Sequence, residues 1–154
     1  MKLPLAAVAL FLAGTAFAHV PPYGPSLNLD TARKVVAAAE AEARKNNWNV
    51  VISIVDTGGH VVLLQRLDGT QYASVDIATK KAQTATAYRR PTKGFEDRIK
   101  GGDPQLALLP GVMPLEGGLP IVVNGQLVGG IGVSGVTSAH DGQIAKAGAD
   151  VLAK

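Results

Sequence analysis

The strongest constraint on the fold is the stretch 117–135, which reads GGLPIVVNGQLVGGIGVSG. Asn124 and Gly125 separate two apolar runs, Leu119–Val123 and Leu127–Val133. Both central residues of a type I′ turn have positive φ, and an Asn-Gly pair adopts that conformation at low cost. The stretch therefore predicts a two-stranded antiparallel hairpin. Its second strand is rich in glycine, which indicates close approach of the backbone to a neighbouring element or to a ligand.

The rest of the chain predicts a second hairpin and three main helices. The β-branched runs Val50–Val55 and His60–Leu64 are joined by the turn Asp56–Gly59. Helices are predicted over Leu27–Asn46, Gln71–Arg90 and, near the end of the chain, His140–Ala153. Asn28 or Asp30 is placed to cap the first helix. Because hairpins connect the strands, we expect one α/β (α+β) domain with helices packed on a mainly antiparallel sheet.

The N-terminal segment has the pattern of an export signal. Residues 1–18, MKLPLAAVALFLAGTAFA, combine one lysine, an apolar core and an Ala-x-Ala ending, and are too short to span a membrane. We therefore expect cleavage after Ala18, a periplasmic or secreted protein that does not span the membrane, and a proline-rich arm over 19–26. The chain has no cysteine, which excludes disulfides and thiolate metal sites. A formal net charge of +3 is too small to indicate nucleic acid binding.

Three further segments carry a family resemblance. They are VVISIVDTGGHVVLLQRLDG (50–69), KKAQTATA (80–87) and the ending GVSG…HDGQIAKAGADVL. With the hairpin stretch, they resemble the GlcG/HbpS-type haem-binding (haem-degrading) family from about Leu27 to Leu152. The matching positions are Asp56, Gly59, Arg66, Asp68, Lys81, Thr84, Gly118, Gly132, Ser134, Gly135 and Asp141.

The resemblance implies a single domain over 27–154 with a profilin-like, three-layer α/β/α fold. Its central sheet is expected to be mainly antiparallel with about five strands. The resemblance also implies haem as a ligand and assembly into a homo-oligomer. Relatives include glycolate-operon products and a domain of cobalamin adenosyltransferases, so the resemblance alone leaves several functions open.

The segment Lys80–Lys100 has a strong excess of positive charge. It contains seven basic residues and only two acidic ones. Such a run is typical of a solvated face, but it also attracts anions such as the two propionates of haem. In the haem interpretation, Lys81, Arg89 or Arg90 contacts the propionates, with Thr84 nearby, while the sheet edge and the glycine-rich turn hold the ring.

Other positions each have a structural and a ligand-binding interpretation. The segment 130–135 matches G-x-G-x-x-G, but it follows a hairpin rather than opening a βαβ unit, so backbone packing is favoured over nucleotide binding. A pocket in which Ser134 and nearby amides bind an anion is the alternative. Arg66 can pair with Asp56 or Asp68, or hold a carboxylate. The ligand-binding candidates are Asp56, Arg66, Lys81, Thr84, Arg89, Arg90, Gly118, Gly132, Ser134, Gly135 and Asp141.

The metal-ligand candidates are the three histidines. His140 precedes Asp141, which can orient an imidazole ring. For haem iron, the side chains able to act as axial ligands are His60, His140, Tyr72, Tyr88 and Met113. If cleavage follows Ala18, the free amine and imidazole of His19 form a chelate suited to Cu(II).

Three functions follow from these residues. The first is an exported haem-binding (tetrapyrrole-binding) protein that assists haem uptake, sensing or degradation. The second is an enzyme acting on a small carboxylate, with Arg66 or Lys81 as clamp and Asp56 or Asp141 as base. The third is a non-catalytic oligomeric module with a membrane sensor as partner. The residues alone leave open whether the protein is an enzyme.

Overall fold

The computed structural model describes residues 20–153, so the predicted signal peptide and His19 lie outside the described residues. The helices in this part of the chain are α1 (Leu29–Lys45), α2 (Ser74–Ala87), α3 (Lys93–Lys100), a 3₁₀ helix (Pro104–Leu108) and α4 (Ser138–Asp150). The strands are β1 (Val51–Val55), β2 (Val61–Arg66), β3 (Gly118–Val123) and β4 (Gln126–Ser134). Among the described residues, no helix is both long enough and apolar enough to cross a bilayer.

The four strands form one antiparallel sheet in the order β2-β1-β4-β3. The φ angles of +51° at Asn124 and +75° at Gly125 confirm the predicted hairpin turn. The expectation of about five strands is wrong. The N-terminal arm runs beside β4 but adds only a single bridge, between Tyr23 and Leu127. Pro22 and Pro25 flank this bridge, and neither has the N–H that a longer strand needs.

Helices cover both faces of the sheet. Ile131 and Val133 of β4 point into the main hydrophobic core, which α1 and α4 share. The alternating residues Gly130 and Gly132 face α2. A Cβ atom at Gly132 would lie 1.9 Å from the carbonyl oxygen of Ala78 in α2. The glycines therefore let α2 approach the backbone of β4, which confirms the packing interpretation of this stretch.

Two helix ends differ from the prediction for local reasons. The Asn28 side chain accepts a hydrogen bond from the backbone N–H of Thr31 at 2.9 Å, so α1 begins after this cap. The second helix ends at Ala87 instead of Arg90. Arg89 has a φ of +53°, which is incompatible with a right-handed helix, and Pro91 disfavours helical geometry in the residue before it.

Candidate functional site

Lys81 and Asp141 form a buried ion pair instead of facing solvent. Their relative exposures are 1% and 2%. The Lys81 Nζ donates to Asp141 Oδ2 at 2.8 Å and to the carbonyl oxygen of Val133 at 2.9 Å. Burial raises the pKa of Asp141, although Lys81 opposes the shift. The pair joins α2 to the first turn of α4, so the expectation that Lys81 belongs to an exposed cationic surface is wrong.

The side chain of Thr84 forms hydrogen bonds with the loop that precedes β3. Its hydroxyl donates to the carbonyl oxygen of Gly111 at 3.0 Å and accepts the backbone N–H of Met113 at 2.9 Å. The hydroxyl of Tyr88 donates to the carbonyl oxygen of Pro110 in the same loop at 2.8 Å. Both side chains hold this loop against the C-terminal half of α2.

The glycine and serine candidates at the ends of β3 and β4 make packing contacts. A Cβ atom at Gly118 would lie 2.4 Å from the Lys81 carbonyl oxygen, and one at Gly135 would lie 2.3 Å from the Asn49 carbonyl oxygen. The Ser134 hydroxyl lies 3.2 Å from that of Ser74 inside the protein. Gly118 also borders a small cavity of about 250 Å³.

Asp56 organises the turn between β1 and β2, as the turn interpretation predicts. Its Oδ1 accepts the backbone N–H groups of His60 and Gly58, at 2.9 and 2.8 Å, and these bonds hold the pKa of Asp56 below its ordinary value. Arg66 lies at the other end of this hairpin, with its guanidinium 5.1 Å from the centre of the Tyr72 ring. The predicted ion pair of Arg66 is therefore wrong: within residues 20–153 it has no carboxylate partner.

The described histidines lie at opposite ends of β1 and do not form a metal site together. His60 is exposed in the turn after β1, with Nδ1 3.4 Å from Asp56 Oδ1. His140 stacks on Trp48, before β1, with ring centres 4.2 Å apart. Asp141 bonds Lys81 instead, so the expectation that it orients His140 is wrong. Within residues 20–153, no three His, Cys, Asp or Glu side chains are placed to hold a metal ion.

Carboxylates inside and outside the cationic segment neutralise most of its basic residues. Four of its seven basic residues form ion pairs: Lys81 with Asp141, Lys93 with Asp97, Arg98 with Asp103 and Lys100 with Glu96. Lys80, Arg89 and Arg90 have no carboxylate partner in the described part of the chain. Two of these three residues, Arg89 and Arg90, lie directly after the end of α2.

Arg89 and Arg90 border a groove with a volume of about 670 Å³. The groove lies between the N-terminal arm, the α2–α3 connection and the edge strand β3. Its lining residues are Val20, Pro21, Arg89, Arg90, Pro91, Pro120, Val122 and Gly125. A volume of this size is typical of small-molecule sites, and the two guanidinium groups are its only charged side chains among the described residues. The arrangement suits a largely apolar ligand that carries anionic groups at one side.

The two arginines are held in place by aromatic rings. The guanidinium carbon of Arg89 lies 5.3 Å from the centre of the Tyr23 ring, and that of Arg90 lies 5.9 Å from the centre of Phe95. The Tyr23 hydroxyl in turn donates to the carbonyl oxygen of Thr86 at 3.1 Å. Arg89, Arg90 and the sheet edge are among the predicted site features. For the arm residues that line the groove, the sequence predicts only a proline-rich arm and gives no indication of ligand binding.

The fold and sequence match proteins of one family. A family model described as "Haem degrading protein HbpS-like" matches residues 27–150. Protein GlcG of Escherichia coli (strain K12) is 45% identical over 128 residues, which are 83% of this chain and 96% of GlcG.

Solved structures show the same fold. A double mutant of Streptomyces reticuli HbpS superposes with a TM-score of 0.78 and 34% identity, covering 97% of this chain and all of HbpS. The crystal structure of a PduOC–haem complex superposes with a TM-score of 0.75 and 28% identity, covering 83% of this chain and 96% of PduOC.

Proposed function

We propose, because the chain belongs to the HbpS-like family of haem-degrading proteins, that it binds haem in the groove beside Arg89 and Arg90. The observation that carries this proposal is the combination of two guanidinium groups without carboxylate partners and an apolar groove on the sheet edge. Haem has the matching chemistry, since it is a flat apolar ring with two carboxylates at one side. The haem complex of the structurally similar PduOC supports the choice of ligand.

The described residues supply binding and orientation for this ligand. Arginine forms bidentate, charge-assisted hydrogen bonds with carboxylates, so Arg89 and Arg90 are suited to the two propionates. Pro21, Pro120 and Val122 offer apolar surface to the ring, and burial of such surface contributes about 25 cal/mol per Å². When haem is bound, its iron supplies any redox chemistry, and the protein controls access and polarity around it.

We also propose that the protein acts outside the cytoplasm as a homo-oligomer, in haem uptake, sensing or degradation, with a membrane sensor as a candidate partner. The pattern of residues 1–18 supports export. Apolar side chains on the 3₁₀ helix and on the loop before β3 support assembly, because Leu108 is 84% exposed and Leu115 is 39% exposed. Thr84 and Tyr88 hold this loop in a defined conformation, as an interface requires.

The geometry does not favour the small-carboxylate enzyme. Lys81, which with Arg66 was one of two candidate clamps, and Asp141, one of two candidate bases, neutralise each other inside the protein. Asp56, the other predicted base, accepts two backbone hydrogen bonds within its turn. Haem binding therefore has the better structural support of the two.

Titration of haemin into the purified protein tests the proposal, with the Soret band as the signal and excess albumin as a competitor. We expect saturable binding that persists in the presence of albumin. The double variant Arg89→Gln/Arg90→Gln is expected to bind more weakly, because both propionate partners are lost. Lys80→Gln is the matched control, since Lys80 also lacks a carboxylate partner but does not line the groove.

A single Arg90→Gln variant separates ligand contact from support of the arm. Arg89 also donates to the carbonyl oxygen of Pro21, whereas Arg90 makes no contact with the arm among its described hydrogen bonds. Circular dichroism of each variant verifies that it is folded. Binding that does not saturate in the wild type, or equal affinity in all three variants and the wild type, would contradict the proposal.

A further inference from the structure

A second cavity lies at the end of the sheet opposite to the groove, just before β1 begins. It has a volume of about 390 Å³. Its lining residues are Arg44, Asn47, Trp48, Asn49, Leu67 and Asp68. Val51, the first residue of β1, pairs with Ser134 at the end of β4, whereas the groove borders Gly125, just before β4 begins. The groove and this Trp48 cavity therefore lie at opposite ends of β4.

The end of α1 positions Trp48 in the cavity. Trp48 donates its backbone N–H to the carbonyl oxygen of Ala43 at 2.9 Å. Asn47 donates its own N–H to that of Arg44 at 3.1 Å and has a φ of +56°. These two bonds and the left-handed residue form a Schellman motif, which ends the helix. The half-buried Trp48 ring is then held by its stack on His140.

The turn after β2 brings Asp68 to the same cavity. The carbonyl oxygen of Leu67 accepts both the backbone N–H of Thr70 at 3.2 Å and the Thr70 hydroxyl at 2.7 Å. Gly69 has a φ of +77° inside this turn, and a Cβ atom there would lie 3.0 Å from the amide nitrogen of Asn49. The turn is therefore well defined and lies against the residue that follows Trp48.

The fold leaves the polar groups of the Trp48 cavity available to a ligand. The side chains of Asn47, Asn49 and Asp68 make no hydrogen bond within residues 20–153. Asp68 also has no ion-pair partner in that range. Two amides and one carboxylate thus converge on one cavity beside an aromatic ring.

We infer that the Trp48 cavity binds a neutral sugar. An amide both donates and accepts hydrogen bonds, whereas a carboxylate only accepts them. A ligand that satisfies two amides and a carboxylate must therefore donate and accept bonds from neighbouring atoms, as the vicinal hydroxyls of a sugar do. The C–H groups on one face of a pyranose ring also pack on an aromatic ring, because the face of that ring carries partial negative charge. The cavity volume is within the range of small-molecule sites.

The charges around the cavity favour a neutral ligand over an ionic one. Arg44, its only basic residue among the described ones, is paired with Glu40 at 2.6 Å, and the carboxylate of Asp68 repels anions. A small cation would be attracted by Asp68 but would leave the N–H donors of both amides without an acceptor. This chemistry differs from that of the groove, where two guanidinium groups lack carboxylate partners.

Titration of the purified protein with glucose and with N-acetylglucosamine tests the inference, with tryptophan fluorescence as the signal. Trp48 is the single tryptophan of the chain, so its emission reports on this cavity directly. We expect a saturable change with at least one of the two sugars. Glycerol, which has vicinal hydroxyls but no ring, and choline, a cation suited to an aromatic ring, are the comparison ligands. Both are expected to give no saturable change.

Two aspartate variants show whether the cavity binds the sugar. Asp68→Ala is expected to weaken binding by about tenfold or more, because a charge-assisted hydrogen bond is lost. Asp76→Ala is the matched control, since Asp76 is also exposed and without an ion-pair partner within residues 20–153 but does not line the cavity. Circular dichroism verifies that each variant is folded.

The outcomes are independent of haem binding. Arg90→Gln, which alters the groove, is expected to bind the sugar with wild-type affinity, so a failure of the proposed function leaves this inference standing. The inference is wrong if neither sugar gives a saturable change, or if glycerol or choline gives one of the same size. Equal affinities of Asp68→Ala and Asp76→Ala for the sugar would also overturn it.

Discussion

Replacing Asp141 by leucine tests whether the Lys81–Asp141 pair is a buried charge pair on which the fold depends. The substitution leaves the Lys81 ammonium, which is 1% exposed, without its carboxylate partner. Removing one member of a buried ion pair costs about 3–5 kcal/mol. Since small domains have a total stability of about 5–15 kcal/mol, this loss would remove a large part of it.

The cost of neutralising the remaining partner gives an independent magnitude. From the ordinary pKa of aspartate, protonating Asp141 at pH 7 costs about 4 kcal/mol, but at pH 5 only about 1.5 kcal/mol. The penalty of Lys81→Met is therefore expected to depend on pH.

The penalty of Lys81→Met, measured against the wild type at each pH, is expected to fall by up to about 2–3 kcal/mol between pH 7 and pH 5. Burial raises the pKa of Asp141 in the folded state, and Lys81 opposes this rise. In Lys81→Met that opposition is lost, so the folded variant binds more protons, relative to its unfolded chain, than the wild type does. Stability from this carboxyl is thus highest at low pH and is lost as the pH rises toward the raised pKa. The penalty of Asp141→Leu is not expected to fall at pH 5, because lowering the pH does not provide a partner for the buried Lys81 ammonium.

Urea unfolding followed by circular dichroism at both pH values measures these differences. The double variant Lys81→Met/Asp141→Leu is expected to recover most of the stability, because it leaves no buried charge. Lys146→Met is the control, since Lys146 pairs with Asp150 on the surface, where such pairs contribute less than about 1 kcal/mol. The reasoning is refuted if Asp141→Leu costs no more than Lys146→Met, or if the penalty of Lys81→Met is the same at both pH values.

Three further substitutions test the packing and the turns by urea unfolding. Gly132→Ala is expected to lower the free energy of unfolding by about 3 kcal/mol or more, because its Cβ would clash with Ala78 of α2. Gly94→Ala is the control: no atom lies near its Cβ, so it is expected to stabilise α3 by up to about 1 kcal/mol. Equal effects of the two substitutions would contradict the close packing of α2 on β4. Gly125→Ala is expected to lower the free energy of unfolding by roughly 1 kcal/mol, because residue 125 has a φ of +75°. An unchanged free energy of unfolding would contradict this turn conformation. Asp56→Ala is expected to cost about 1 kcal/mol at pH 7. The stability difference between the wild type and Asp56→Ala should disappear as the pH falls through the lowered folded-state pKa of Asp56. A stability difference that persists in acid would show that the ionised carboxylate is not its cause.

Local patterns in the sequence predict the elements of this fold well. Between two apolar runs, an Asn-Gly pair favours the type I′ turn of a hairpin, so the conformational preferences of two adjacent residues are enough to predict the hairpin. The strand count was wrong because prolines in the arm remove hydrogen-bond donors, and the arm adds a single bridge instead of a fifth strand. Helix ends were wrong by a few residues where a single residue, Arg89, takes a left-handed conformation.

Lys81 shows why the site was harder to predict than the fold. It was grouped with the exposed cations because it lies in a basic segment beside Lys80. Its helical spacing gives the opposite indication, since Ala78, Ala82 and Ala85 form the buried stripe of α2 and Lys81 belongs to that stripe. A lysine in an apolar stripe indicates a buried partner, but the sequence alone does not show that Asp141 is close in space.

The positions that carry the family resemblance are mainly structural in this protein. Asp56 organises a turn, Thr84 holds a loop, Lys81 pairs with Asp141, and Gly132 admits α2. The groove instead draws on the arm, the end of α2 and the edge strand, and its arm residues precede the matched range 27–150. The resemblance therefore specifies the scaffold, and in the proposed function the choice of ligand depends on residues outside these positions. On that proposal, the groove and its N-terminal arm are the decisive region to test in this protein.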